Sequence, residues 1–108
     1  MNFNSKHILL EGKKSINGLE VSDNLGCMTW HEAKIACQKL GVGWRLPTIK
    51  ELNMFFENKE EIGGFANNVY WSSSECGNYG AWYQLFNDGL QFLNLKSNAF
   101  YVRAVRAS

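Results

Sequence analysis

The apolar periodicity of this chain changes once, and that change restricts the folds open to it. Between Thr29 and Gly64 apolar residues recur at spacings of three and four, the signature of a helix with one buried face. Thr29-Trp30-His31-Glu32 opens this half as a capping box, in which the Thr hydroxyl serves the third helical N–H and the Glu carboxylate reaches back. A helix is expected from Thr29 to about Leu40, with Trp30, Ala33, Ala36, Cys37 and Leu40 inward and Gly41 ending it. Trp44-Arg45-Leu46-Pro47 should be extended, because a residue before proline is driven out of the α region. Thr48-Ile49-Lys50-Glu51 repeats the capping box, and Ile49, Leu52, Phe55 and Phe56 line a second helix to about Asn58 or a turn beyond. Gly63-Gly64 closes the helical half.

From Asn67 onward the pattern reads as strands: Tyr70 to Glu75, Ala81 to Phe86, Leu90 to Lys96 and Tyr101 to Ala107, each bounded by Gly or Asn. These four are expected to pair antiparallel, with Asn87-Asp88-Gly89 as a hairpin turn. Upstream, His7 to Val21 reads as an edge hairpin around the Asn17-Gly18 turn signal. The plan is α+β: two amphipathic helices packed on the apolar face of a mainly antiparallel sheet. A length of 108 residues fits one domain, so residues 1–108 are read as a single unit.

Composition narrows the function. A net charge of +1, with Lys scattered among Glu, offers no basic stripe for phosphates, so nucleic acid is not an expected partner. No apolar stretch approaches a membrane span, and the chain as given carries no signal peptide, which leaves localisation open between cytoplasm and phage particle. Cys27, Cys37 and Cys76 are odd in number and lack metal-ligand spacing; free thiols are expected, with a Cys27–Cys37 bridge open in an oxidising compartment. Aromatic residues make up 14% of the chain, including four Trp, and aromatics give ligand-reading surfaces contact area at low entropic cost.

Several motifs in order carry a resemblance. Met28-Thr29-Trp30, Trp44-Arg45-Leu46-Pro47-Thr48 with Glu51-Leu52, Tyr70-Trp71-Ser72-Ser73-Ser74, Ala81-Trp82, Phe86 to Gly89 and Val102-Arg103-Ala104-Val105-Arg106 together span about Gly26 to Arg106. The chain thereby resembles the C-type lectin-like family typified by the C-terminal (Lcl-type) domain of collagen-like bacterial adhesins. That resemblance implies a compact α+β ligand-binding fold, related in architecture to formylglycine-generating enzymes.

Residues 70–106 also look like the variable region of proteins diversified by a diversity-generating retroelement. In such systems template adenines are randomised during reverse transcription, and the resulting NNY codons cannot encode Met, Trp, Gln, Lys or Glu. Cys76 to Gly80, Phe92 to Leu95 and Ser97 to Tyr101 contain none of these, while Trp82, Gln84, Gln91 and Lys96 would be constant framework. Short windows lacking Lys and Glu also arise by chance, since Asn, Gly, Ser and Tyr are ordinary turn and strand residues. Yet Phe92-Leu93, Leu95 and Phe100-Tyr101 put apolar side chains on both faces of strands, so some must be exposed in a sheet with one solvated face. The candidate ligand-binding residues are Tyr79, Tyr83, Leu85, Phe92, Asn94, Leu95, Asn98 and Phe100.

Other readings of chemistry are weaker. Phe86-Asn87-Asp88 has a superficial likeness to the calcium motif of sugar-binding C-type lectins, but calcium wants about six to eight oxygens and the only proline, Pro47, leaves no Glu-Pro-Asn partner. Cys76 with His7 or His31 makes no convincing nucleophile and base, no thiol pair suits oxygen chemistry, and no paired carboxylates or phosphate loop stand out. No catalytic residue, metal or cofactor is expected. Arg45 and one of the pair Arg103 and Arg106, the one that alternation turns toward the core, read as structural, with Glu51 or Glu75 as partners of a buried guanidinium, and the four Trp as core and framework. The expected function is a non-enzymatic receptor for an unknown protein or glycan, with a sequence-diversified surface. The alternative is an invariant lectin-like or adhesin module. The sequence leaves the oligomeric state open.

Overall fold

The computed structural model describes residues 15–108. Asn17 and Gly18 both take positive φ, 49° and 79°, the pair of left-handed residues that a two-residue hairpin turn uses to match strand twist. They join β1 (Ser15–Ile16) to β2 (Leu19–Met28) at one edge of the sheet. The part of the expected hairpin from His7 to Lys14 lies outside the described residues.

Both capping boxes form. Glu32 accepts the Thr29 N–H at 3.0 Å and starts α1 (Trp30–Gln38), which stops two residues before Leu40. The second is reciprocal: Thr48 N–H donates to Glu51 Oε1 at 2.9 Å and Glu51 N–H to Thr48 Oγ1 at 3.1 Å, opening α2 (Ile49–Glu57). The further turn is a short separate helix, α3 (Lys59–Ile62).

Strands β3 (Val69–Cys76), β4 (Gly80–Leu85) and β5 (Gln91–Leu95) form the expected antiparallel meander. The last strand, β6 (Phe100–Ala107), departs from it. Instead of lying beside β5 it crosses back between β2 and β3, giving the order β1-β2-β6-β3-β4-β5. It runs antiparallel to β2 and meets β3 in parallel at Tyr70 and Tyr101. The reason is burial: Val102, Arg103, Ala104 and Val105 are all buried, and four consecutive buried residues need cover on both faces and a neighbour on both sides. Where β3 diverges, the extended Trp44–Pro47 segment takes its place. Arg45 and Val105 exchange backbone hydrogen bonds at 3.0 and 2.8 Å, and Pro47 O accepts the Ser73 N–H at 2.7 Å.

The helices consequently lie on opposite faces of the sheet, not together on one apolar face as the sequence pattern suggested. Alternation sends Trp71, Val102 and Ala104 into a core with Trp30, Ala33 and Cys37 of α1. It sends Tyr70 and Val105 into a second core with Leu52 and Phe55 of α2 and Ile62 of α3. Indole N–H groups fasten the first core: Trp71 donates to Met28 O at 3.0 Å and Trp30 to Ser72 O at 2.9 Å. Because α1 lies over β2, β6 and β3, the same face of β4 and β5 has no helix above it.

Candidate ligand-binding face

The exposed hairpin of β4 and β5 is shaped by its turn. Asp88 Oδ1 accepts the Leu90 N–H at 3.0 Å, and Gly89 takes φ 84° where an added Cβ would sit 2.5 Å from the Phe56 ring. Asn87-Asp88-Gly89 is thus occupied in building a turn. Among the described residues no group of three or more His, Cys, Asp or Glu gathers as a metal site would require. Beneath the turn the fully buried Gln84 donates to Asn53 Oδ1 at 2.9 Å and to Gly89 O at 3.0 Å, and accepts from Gln91 Nε2 at 3.1 Å. Each polar atom of that amide has a partner, so a polar side chain is held in the interior without an unmet hydrogen bond.

On the uncovered face a row of aromatic rings runs outward from the core. Trp71, fully buried, lies 4.7 Å from Phe100; Phe100 lies 4.8 Å from Tyr83; Tyr83 lies 6.0 Å from Phe92. Exposure rises along the row: Phe100 and Tyr83 are half-buried, and Phe92 is 45% exposed. Such centroid distances are those of favourable aromatic pairs, so the outer rings are held by the inner ones. Tyr83 and Phe92 are register partners, as are Ala81 and Asn94, so Asn94 shares this face, and Leu85 joins it by strand alternation.

The turns at the end of the hairpin are tied down by one side chain. Lys96, buried, donates from Nζ to Glu75 Oε2 at 2.6 Å and to Asn78 O at 3.1 Å, and stands 4.3 Å from the Trp30 ring centroid. Its backbone N–H reaches Tyr79 O at 2.7 Å and its carbonyl accepts the Trp30 N–H at 3.1 Å. The hydrogen bond from Lys96 is the main reason the Glu75 carboxyl lies below its ordinary value, with the charges of Lys96, Lys34 and His31 adding to it against some desolvation.

Of the eight candidate residues, five share the aromatic face: Tyr83, Leu85, Phe92, Asn94 and Phe100. Tyr79, 78% exposed, lies in the turn between β3 and β4, and Asn98 in the turn between β5 and β6, where its amide donates to Asn94 Oδ1. Leu95 points to the opposite face, across from Gly80, into a shallow groove of about 340 Å³ shared with Cys76 and Leu93. Lys96 was legible as framework but not as the tie between turns. Leu93 and Leu90, both exposed, were outside the candidate set; a strand with apolar residues on consecutive positions was the available signal.

Arg45 makes a two-pronged ion pair with Glu51 at 2.7 and 2.9 Å, which holds the Glu51 carboxyl below its usual range. Among the described residues buried Arg103 has no carboxylate partner; Nε donates to Ser22 O at 2.6 Å, Nη1 to Gly63 O at 2.7 Å, and the guanidinium covers the Phe65 ring. Its expected acidic partners are taken, Glu51 by Arg45 and Glu75 by Lys96. Trp30, Trp44 and Trp71 are buried, and Trp82 half-buried. Cys27 and Cys76 are exposed and free, and burial pushes the free Cys37 thiol up to about 12. No helix among the described residues is long and apolar enough to cross a membrane.

The model of one family, the Lcl C-terminal domain, matches residues 10–106. The chain belongs to the Lcl C-terminal domain family. Among curated proteins none matches this Lcl C-terminal domain in sequence. Solved structures do match its fold. Botrocetin superposes with a TM-score of 0.70 at 12% identity, over 89% of this chain and 96% of that one. EMS16, an antagonist of the collagen receptor integrin α2β1, gives 0.68 at 13% identity, over 90% and 98%. Human lithostathine gives 0.61 at 17% identity, over 91% and 90%. The fold of this Lcl C-terminal domain is therefore C-type lectin-like.

Proposed function

We propose that the chain is a non-enzymatic receptor domain that binds its ligand on the aromatic face of the β4–β5 hairpin and the adjoining turns, and that this surface is diversified by a retroelement. The observation that carries the reading is the aromatic row. Phe100, Tyr83 and Phe92 run from a fixed core onto a sheet face that no helix covers, and rigid aromatics presented this way are the side chains that dominate binding energy elsewhere. The three windows free of Met, Trp, Gln, Lys and Glu fall on the β3–β4 turn, on β5 and on the β5–β6 turn running into β6, while the residues between them that fix the backbone are Gln84, Gln91 and Lys96. Diversification would then alter the surface and leave its support intact. Related folds are consistent with a protein ligand: botrocetin has been solved in complex with a von Willebrand factor A1 domain.

The decisive experiment is genomic. A near-copy of the coding segment for Tyr70 to Arg106 that differs only at adenines, close to a reverse transcriptase gene, is expected. A chromosome without such a copy, or with differences scattered over all bases, overturns diversification. One observation favours the second reading, an invariant module binding a glycan. A polar groove of about 520 Å³ lies between the first turn of α2 and the hairpin turn, lined by Lys50, Asn53 and Gln91 with Ile49, Gly89 and Leu90. Retained binding after loss of the aromatic face, together with loss on changing Lys50 and Asn53, would support it.

A further inference from the structure

Five of the eight exposed large hydrophobic side chains among the described residues, Tyr79, Leu90, Phe92, Leu93 and Leu95, lie on β5 or beside it. Phe92 shares the aromatic face, Leu93 and Leu95 point the other way and Leu90 lines the groove beside α2, so a ligand on the aromatic face leaves these leucines unexplained. β5 is also one of the two edges of the sheet, left open among the described residues, and Gln91–Leu95 carries no charge. Sheet proteins ordinarily blunt such an edge with lysine, proline or a covering loop.

The main-chain groups on that edge can be assigned. Leu85 N–H donates to Leu90 O and Lys96 N–H to Tyr79 O, which fixes the alternation of the β4–β5 ladder. Phe92 and Asn94 therefore face β4 with their backbone groups, and Gln91, Leu93 and Leu95 face outward. Leu95 is already occupied, its N–H by Asn94 Oδ1 at 2.8 Å and its carbonyl by the Asn98 N–H at 3.0 Å. Gln91 and Leu93 are left with outward donors and acceptors.

We infer that a second copy of this chain pairs with β5, antiparallel about a twofold axis through Phe92. One register places Gln91 opposite Leu93 of the copy, and Leu93 opposite its Gln91. Both pairs exchange both bonds, so all the groups left outward on these two residues are used, and Phe92 meets its own copy in the close, non-hydrogen-bonded position. No charge on either strand opposes the contact. The axis is normal to the sheet, so the aromatic faces of the two copies become one continuous surface. Main-chain bonds do not read side chains, so the pairing tolerates change at Phe92, Asn94 or Leu95. It also stands independently of the ligand-binding proposal.

A five-residue strand pair falls in the small-interface class, below about 1,200 Å² in total, so the dimer is weak. Sedimentation equilibrium from about 10 μM to about 1 mM is expected to show a monomer–dimer equilibrium with a midpoint of hundreds of micromolar. Amide exchange at Gln91 and Leu93 should slow as concentration rises. Leu93→Pro removes one outward N–H without touching the β4 ladder, where an edge proline is tolerated; it should raise the dimer dissociation constant at least about tenfold. Leu93→Lys should do the same if the proline disturbs the thermal midpoint. A monomer throughout the range overturns the inference, as does a dimer that both variants leave unchanged. A monomer whose capture of a foreign protein is lost in Leu93→Pro also overturns it, and assigns the edge to a strand from that protein.

Discussion

Replacing Lys96 by Met tests the tie between the turns while keeping most of the buried stem. Three interactions disappear with the charge, and two of them enter the sum. A hydrogen bond from an ionised donor is worth about 1.5 to 3 kcal/mol, and here it runs from Nζ to Asn78 O at 3.1 Å. A cation over an aromatic face adds about 0.5 to 2 kcal/mol when partly desolvated, and the Trp30 centroid is 4.3 Å away. The Glu75 pair is left out of the sum because its carboxylate is half-exposed and screened by solvent. Lys96→Met should therefore lower stability by about 2 to 5 kcal/mol, a drop on the order of 10 °C or more in midpoint for a chain of this length. Urea unfolding at neutral pH measures the loss, and amide exchange locates it. Protection should fall first at residue 96, whose N–H bonds to Tyr79 O, and at Trp30, whose N–H bonds to the carbonyl of residue 96. The pH dependence has a fixed sign. Glu75 has its folded value depressed, so its contribution is present above its unfolded value near 4.5 and is lost as pH falls through the folded value. The difference between wild type and Lys96→Met should narrow below about pH 4.5. A loss under about 0.5 kcal/mol, or unchanged protection in both turns, would refute the reasoning.

Trp71→Ala removes the fully buried anchor of the aromatic row and its bond to Met28 O, and should cost about 3 to 5 kcal/mol in the same urea assay. Changing Tyr79, Asn94 and Asn98 together to Ala should cost no more than about 1 kcal/mol with unfolding still cooperative, because these side chains lie on the surface and the turns are held by Lys96. Thiol labelling of the native protein at mildly alkaline pH should modify Cys27 and Cys76 quickly and Cys37 only on the timescale of opening, since Cys37 is buried and its pKa is pushed up to about 12. Equal rates at all three would contradict the packing of α1.

The local elements were readable because their causes are local. Thr48 and Glu51 sit three residues apart and cap each other whatever the rest of the chain does, and Asn17-Gly18 needs no partner beyond its own two strands. The place of β6 was hidden because it depends on residues far away in the chain: Val105 pairs with Val21, 84 positions back, on one side and with Arg45, 60 positions back, on the other. Reading Tyr101 to Ala107 as a half-solvated strand assumed one wet face. The uninterrupted burial of Val102 to Val105 shows none, and the placement of the helices on opposite faces follows from it. Arg103 was expected to find a carboxylate, but two backbone carbonyls and the Phe65 ring satisfy it, an arrangement set by how Gly63 and Ser22 approach in space. Of the candidate site, the aromatic residues were legible by type and by spacing. Their sharing of one face was not, because it requires the β4–β5 register that brings Tyr83 opposite Phe92.

The claim that matters most is that the aromatic face is the binding surface. Its most direct measurement is retention of a bacterial surface extract on the immobilised chain, compared with Tyr79→Ala, Phe92→Ala and Phe100→Ala on one side and Lys39→Ala on the other, all with unchanged folding. At least one aromatic truncation should weaken capture of the retained species by roughly 2 kcal/mol or more, about thirtyfold, and Lys39→Ala at the C-cap of α1 should leave it unchanged. Capture that survives all three aromatic truncations and is lost with Lys39→Ala would place the surface on the helix side and contradict the account.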